Sequence, residues 1–194
     1  MSRSVNEDRP IELRDAILRY LLKHGVTDLS LRPLAKSVGS SPRGLLYHFG
    51  SKEKLLTDAI GELRLRQHSL LRQIGADSFA EAGRQIWKQI SSPAAEPEWR
   101  LFFELYGIAL RQPKRYQQFL QSAVDDWLLF SVEQLRNDGY AASDARLLAT
   151  VMVAGLRGFL MDLHATQDRP RVNRAVTVWL KSLDSLVPRR GSNA

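Results

Sequence analysis

Residues 30–49 read SLRPLAKSVGSSPRGLLYHF, and the order of start and stop signals in this stretch decides the fold. Ser30 is available as an N-cap, Leu34, Ala35 and Val38 share one apolar face, and Gly39 is a natural stop, which predicts a short helix. Ser41-Pro42 then repeats the start signal, because a proline at the first helical position lacks only an amide that would have no intrahelical partner anyway. The second short helix runs to about Phe49 and Gly50 breaks it. Two short helices joined by a glycine-containing turn have the layout of a helix-turn-helix. On the second helix Leu45 and Phe49 are four apart and fall on one face, suited to packing against Leu34 and Val38. Arg43 and Tyr47, also four apart, take the opposite face, with Gly44 and His48 beside them. Ser41 leaves its hydroxyl and the free first-turn amides pointing outward.

An exposed face of Arg, Tyr, His and Gly is a poor solubility device and a good DNA surface. Arg43, at the amino end of the helix that would enter the major groove, is placed for a bidentate contact with guanine O6 and N7. Arg32 reaches either a base edge or a phosphate. Tyr47, His48 and Lys52 have the reach and the donors for phosphates, and Lys52 adds its charge to the positive end of the fourth helix. Gly44 lets backbone approach the duplex closely, and Ser30, Ser41 and Pro42 complete the expected DNA-binding surface. The charge pattern agrees. The chain carries 28 basic against 21 acidic residues, a net of +7. Between residues 32 and 54 lie five cations (Arg32, Lys36, Arg43, Lys52, Lys54) and one anion (Glu53), so +4 of that total sits in 23 residues. Such a field is what a polyanion-binding surface needs, although a solvated basic face without a partner has the same composition.

Working outward, helical periodicity continues nearly everywhere. Leu13, Ile17, Leu21 and His24 predict a first helix over about 9–24, with Pro10 in its first turn and Gly25 as its stop. Ser51 caps a long fourth helix whose stripe of Leu56, Ile60, Leu63, Gln67, Leu70 and Ile74 ends at Gly75. Further helices are expected over about 78–91, 94–112, 113–138, 143–165 and 168–187, with Ser143 and Asp168 as starts, prolines 93, 97 and 113 at the joints, and PRRGSNA as a frayed tail. No segment alternates with period two long enough to be a strand. The expected architecture is all-α, about nine helices. It divides into an N-terminal three-helix DNA-binding domain over 1–54 and a C-terminal bundle over 55–194.

Composition excludes other classes. With 44% hydrophobic and 25% charged residues the chain is an ordinary globular sequence, neither disordered nor collagenous. It has no cysteine, hence no disulfide, no thiolate nucleophile and no Cys-based metal site. The opening MSRSVNEDRP mixes charges and has no apolar run, so no export signal is read there and a cytoplasmic location fits. The most apolar stretch, 151–163, is interrupted by Arg157 and Asp162 and is shorter than the roughly 20 residues a membrane span needs. His24, His48, His68 and His164 form no metal-binding spacing, and no phosphate loop or nucleophile elbow is present. Asp125 and Asp126 point about 100° apart on a helix and read as a solvated edge. No catalytic residue, metal or cofactor is expected.

The run from Leu34 to Leu55, LAKSVGSSPRGLLYHFGSKEKL, closely resembles the DNA-binding signature of TetR-type transcriptional regulators. In that family a hydrophobic-Ala pair, a glycine turn, a serine, Leu-Tyr-x-His-Phe and Lys-Glu-x-Leu recur at this spacing. Three positions depart from it. Leu46 stands where a phosphate-contacting Tyr is usual, Arg43 where a small residue is common, and Ser40 where Val often packs. Tyr47 is therefore expected to take over part of the backbone contact, and Arg43 to give this protein its own base preference.

The resemblance implies a homodimeric repressor on a palindromic double-stranded operator, released by a small-molecule effector bound in the C-terminal bundle. The residues bear on that independently. From Leu147 to Leu163 the sequence is apolar almost all round a helix and needs cover from two directions. A second chain would supply one, through Val151, Ala154, Gly155, Gly158 and Phe159, with Val176, Trp179 and Leu183 of the last helix beside them, along with Val172 and Leu186. The alternative is that these residues only fill their own core. The middle helices hold Trp87, Trp99, Phe102, Phe103, Tyr106, Tyr116, Phe119, Trp127 and Phe130; most are core, and Trp99, Phe103 and Trp127 are the candidates for a ligand pocket. The competing reading is a helical small-molecule-binding or scaffold protein that has lost DNA binding.

Overall fold

Helix ends fall where the glycines and caps put them. Gly25, Gly39, Gly50 and Gly139 hold φ values of +72°, +65°, +78° and +88°, and each follows a helix. The computed structural model describes residues 8–71 and 79–183. Among these the regular elements are α1 (Asp8–His24), α2 (Leu31–Ser37), α3 (Pro42–Phe49), α4 (Lys52–Leu71), α5 (Phe79–Ile90), α6 (Glu96–Arg111), α7 (Gln117–Asn137), α8 (Ala142–Thr166) and α9 (Arg169–Leu183). The chain is all-α, as expected. The predicted end of the fourth helix at Ile74 and Gly75, that of the last near Leu186 and Val187, the tail, and the side chains of Gln67 and Leu70 lie outside the described residues.

Among the described residues, side-chain caps form at Ser41, Ser51 and Asp168. Ser41 Oγ accepts from the Gly44 amide at 3.0 Å, Ser51 Oγ from the Lys54 amide at 3.1 Å, and Asp168 Oδ1 from the Arg171 amide at 3.1 Å. Two start signals read differently in the fold. Ala141, not Ser143, is the N-cap of α8, and the Ser143 hydroxyl donates instead to Asp144 Oδ1 at 3.3 Å. Helix α7 begins at Gln117, not Pro113: residues 113–116 form a turn in which the Arg115 and Tyr116 amides both return to the Gln112 carbonyl. That turn places Tyr116 in the core, 5% exposed, so side-chain burial prevails over the proline start signal.

The helices group into two compact units. Of the described residues, the first comprises 8–70 together with 97–119, and the second 71 and 79–96 together with 120–183. The core of the first draws on every helix in it: Ile17 and Leu21 of α1, Leu34 of α2, Leu45 of α3, Leu55 and Ile60 of α4 and Leu105 of α6 are completely buried. The rings of Trp99, Phe102, Tyr106 and Phe119 add an aromatic cluster, with Phe102 and Tyr106 stacked at 5.5 Å. In the second unit α5, α8 and α9 pack on one another. Close approach there depends on two glycines. A Cβ at Gly83 of α5 would meet Leu180 at 2.5 Å and Met152 at 2.9 Å, and one at Gly155 of α8 would collide with the Trp179 ring of α9. Arg169, in the first turn of α9, donates to the Ser91 carbonyl just past α5 at 2.5 Å, a cation at a helix C-terminus.

Helix α8 runs 25 residues, so it is longer than its most apolar stretch, and by length and composition it could cross a membrane. Leu148, Met152, Leu156, Leu160 and Leu163 are instead buried in the second unit. Arg157 donates to the Ala123 carbonyl and Asp162 pairs with Arg171 at 2.6 Å, so both interrupting charges have partners.

Candidate nucleic-acid interface

Helix α3 is amphipathic in the sense the sequence predicts. Leu45 is completely buried and Phe49 nearly so, and α2 packs against them through Leu34 and Ala35, with Val38 half-buried. With that face fixed inward, the 100° step per residue sends Arg43 and Tyr47 outward. Tyr47 is 86% exposed, an unusual state for an aromatic side chain, and its ring lies edge-on to the His48 ring at 5.8 Å. Arg43, His48, Ser41, Pro42, Ser30 and Arg32 are exposed as well. Gly44 is half-buried; a Cβ there would meet the Ser40 and Ser41 hydroxyls at 2.9 and 3.2 Å, so this glycine also leaves room for the cap. Leu46 is 39% exposed at the edge of the same face and offers no donor. Ser30 holds the N-cap position of α2 in extended backbone without a side-chain bond, which leaves its hydroxyl free to face a partner.

The cations divide into two groups. Arg32, Lys36 and Arg43 are exposed and make no ion pair among the described residues. The others are engaged: Lys54 pairs with Asp58 at 3.1 Å, and the Lys52 ammonium donates to the Leu29 carbonyl. Lys52 thus ties the first turn of α4 to the loop before α2, with two N–H donors left over for another acceptor.

Two further residues, both outside the sequence motif, hold this region. Glu104 of α6 turns its carboxylate onto the loop after α1: Oε1 accepts from the Val26 amide at 3.0 Å, from the Thr27 amide at 2.6 Å, and from the Thr27 hydroxyl. Gly25 is required here twice over, since its φ is left-handed and a Cβ would sit 2.8 Å from Glu104 Oε2. Arg115, in the turn after α6, pairs with Glu53 in the first turn of α4 at 2.5 Å. Burial pushes the neighbouring Tyr116 phenol above its ordinary range, and the Glu53 charge adds to the shift. No local motif announces Glu104 or Arg115, because their partners are 77 and 62 residues away in sequence.

The remaining candidates are in the helices beyond. Trp99 and Phe103 stand together in the first unit with centroids 5.8 Å apart, and Trp127 is buried in the second. Of the dimerisation candidates, Val176 and Leu183 are buried in their own unit, and Phe159 and Trp179 face each other at 5.2 Å beside Gly155. Ala154 and Gly158 are exposed and Val151 is half-exposed. Leu147 and Met161, which the sequence reading did not single out for this face, continue the same line at 56% and 57% exposure, and Val178 of α9 is 69% exposed. The positions 147, 151, 154, 158 and 161 alternate by four and three, one continuous apolar seam along α8.

A short helix buried by its Leu and Phe and showing Arg, Tyr and His to solvent after a glycine turn defines a helix-turn-helix DNA-binding head. Residues 13–59 match the family described as bacterial regulatory proteins, tetR family. The chain is 27% identical over 164 residues to the HTH-type transcriptional regulator BetI of Brucella canis, covering 84% of this chain and 70% of that one. Its fold is similar to that of a transcriptional regulator from Rhodococcus sp. Rha1, with a TM-score of 0.74 at 16% identity over 92% and 99% of the two chains. It is also similar to the multidrug binding protein EbrR complexed with imidazole, with a TM-score of 0.68 at 22% identity over 95% and 93%. The amino-terminal segment 13–59 thus matches the tetR family, the rest of the chain is similar to transcriptional regulators, and the protein is a DNA-binding transcriptional regulator with its reading head at the amino end.

Proposed function

We propose that the protein is a cytoplasmic, non-enzymatic repressor that binds a palindromic operator as a homodimer and leaves it when a small molecule binds. In this reading residues 1–54 read DNA and residues 55–194 dimerise and hold the ligand. The observation that carries it is the exposed Arg43–Tyr47–His48 face of α3. Arg43 reads a guanine edge; Tyr47, His48 and the spare donors of Lys52 bind phosphates; Arg32 and Ser30 extend the contact, and Ser41, Pro42 and Gly44 bring the amino end of α3 close to the duplex. The α8 seam supports dimerisation, because an apolar line of this regularity is stabilised by burial against a second copy through Val151, Ala154 and Gly158. Gly155, Phe159, Val176, Trp179 and Leu183 back that surface from within. Two-fold symmetry in the protein then requires two-fold symmetry in the site. The similarity to a multidrug binding protein supports a small-molecule ligand, with Trp99 and Phe103 of the first unit, or Trp127 of the second, as candidate pocket residues.

Selection of duplexes from a random library by the purified protein, with Arg43→Ala in parallel, tests this. An inverted repeat is expected from the wild type, with preference relaxed at one or two base pairs per half-site in the variant. Recovery of no motif at low salt would instead favour a helical ligand-binding scaffold.

A further inference from the structure

The helix-turn-helix is bracketed. Residues 26–27, just before α2, are held by Glu104; residue 53, just after α3, is held by Arg115; and both anchors belong to one stretch, α6 and the turn that follows it. Lys52 joins the two brackets by donating to the Leu29 carbonyl, which closes a ring of polar contacts around α2 and α3. The loop itself has apolar pegs, Val26 and Leu29, only 2% and 8% exposed. Those pegs alone would leave the part-buried Val26 amide without an acceptor, at a cost in free energy, and the exposed Thr27 amide and hydroxyl without a fixed one. Glu104 supplies the acceptor from a different helix, so the loop sits where α6 puts it.

We propose that Glu104 and Arg115 are positioning residues for DNA reading: they fix both ends of the α2–α3 pair to α6 and present Arg43 and Tyr47 at a set height and angle without touching DNA. This rests on the DNA-binding function and adds to it two residues that lie outside the matched motif. Simple electrostatics makes the opposite prediction, and that makes the proposal testable. Neutralising an acid near a polyanion-binding surface raises affinity if charge is all that counts. If Glu104 and Glu53 hold the head in place, neutralising either one lowers affinity.

The test is the dissociation constant for a duplex selected by the wild-type protein, measured with Glu104→Gln, Glu104→Ala, Thr27→Val and Glu53→Gln at a temperature where circular dichroism shows each variant fully helical. The expected weakening is about tenfold for Glu104→Ala and about threefold for Glu104→Gln and Glu53→Gln, the range lost with a charge-assisted bond or a surface pair. Combining Glu104→Ala with Glu53→Gln should cost less than the product of the two, since one broken bracket already frees the head. Amide exchange at Val26, Thr27 and along α3 should quicken in Glu104→Gln. Unchanged or tighter binding by folded Glu104→Gln and Glu53→Gln overturns the proposal, as does a fall in melting temperature with no change in affinity. If Glu104→Ala does not fold, Glu104→Gln and Thr27→Val decide. If the wild type selects no duplex, DNA reading itself has failed, and the bracket is judged by amide exchange alone: unchanged protection in Glu104→Gln refutes it.

Discussion

Helices α3 and α8 both present side chains that their own chain leaves in water, and the two sets call for different partners. On α3 the exposed set is Arg43, Tyr47 and His48, rich in donors and carrying charge. On α8 one line of the exposed set is Leu147, Ala154, Gly158 and Met161, apolar with small residues in the middle, and the exposed Thr150 hydroxyl beside it donates to the Arg146 carbonyl. A charged, hydrogen-bonding face loses little by staying hydrated and gains most from a polyanion, where salt and geometry set the affinity. An apolar seam gains only by leaving water, at roughly 25 cal/mol per Å² buried, and small residues at its centre let another helix come close. In the proposed reading the chemistry left unsatisfied on each helix matches its partner, nucleic acid for α3 and a second copy of the chain for α8. The two faces should also fail differently when altered.

The largest effect is expected from Ala154→Glu. Ala154 is exposed, so the substitution leaves the core of the second unit alone while placing a carboxylate in the middle of the apolar seam. Sedimentation should show a monomer with unchanged helix content. Binding to a palindromic duplex should weaken by about 100-fold or more, because two heads that were linked must now bind independently. A variant that remains dimeric would show that α8 is not the contact and would remove one half of the comparison.

A smaller effect tests the other face. Tyr47→Phe removes one hydroxyl from an exposed ring and should weaken binding to all sequences alike, by about fivefold, the value of one hydrogen bond. Arg43→Ala, in contrast, should change which sequences are preferred. Binding titrations on the selected duplex and on point variants of it separate the two. A change in base preference caused by Tyr47→Phe would mean that the ring reads bases, and that the division between positioning and reading within α3 is drawn in the wrong place.

How much of this could be read from sequence follows from how local each determinant is. Ser41 with Pro42, Ser51, Gly39 and Gly50 act within four residues, so the helices they start and stop are found from sequence to within a residue or two. The face of α3 is equally legible, since Leu45 and Phe49 fix the wheel. Pro113 misled because it obeys a local preference that the burial of Tyr116 overrides, and Ser143 because Ala141 already held the cap position. Glu104 was invisible for a different reason: a glutamate in the middle of a helix looks like a solvated charge until the fold brings the Val26 and Thr27 amides to it. In the same way the α8 sequence showed that cover was needed on two sides. Only the packing of α9 shows that Val176 and Leu183 serve the inner side while Leu147 and Met161 are left for the outer.

The smallest effect concerns the border of the α8 seam. Asp162, next to Met161, accepts two bonds from Arg171 of α9, at 2.6 and 2.9 Å. These bonds above all, helped by the Arg171 charge and the Thr166 hydroxyl, hold its carboxyl below the ordinary aspartate range against the opposing effect of burial. A carboxyl whose pKa is lower folded than unfolded stabilises the fold above its unfolded pKa and loses that contribution as pH falls through the folded value. Asp162→Asn should therefore lower the melting temperature slightly at neutral pH, and the difference from wild type should begin to shrink as pH falls below about 4, the unfolded value, and vanish only at the lower pH where the folded carboxyl is itself protonated. The pair is solvent-exposed, so salt should reduce the difference as well. The apolar seam has no group that titrates, and dimerisation measured over the same range should respond to acid only through such border charges. A dimer that dissociates in Asp162→Asn at neutral pH would move Asp162 from the border of the seam into the contact itself.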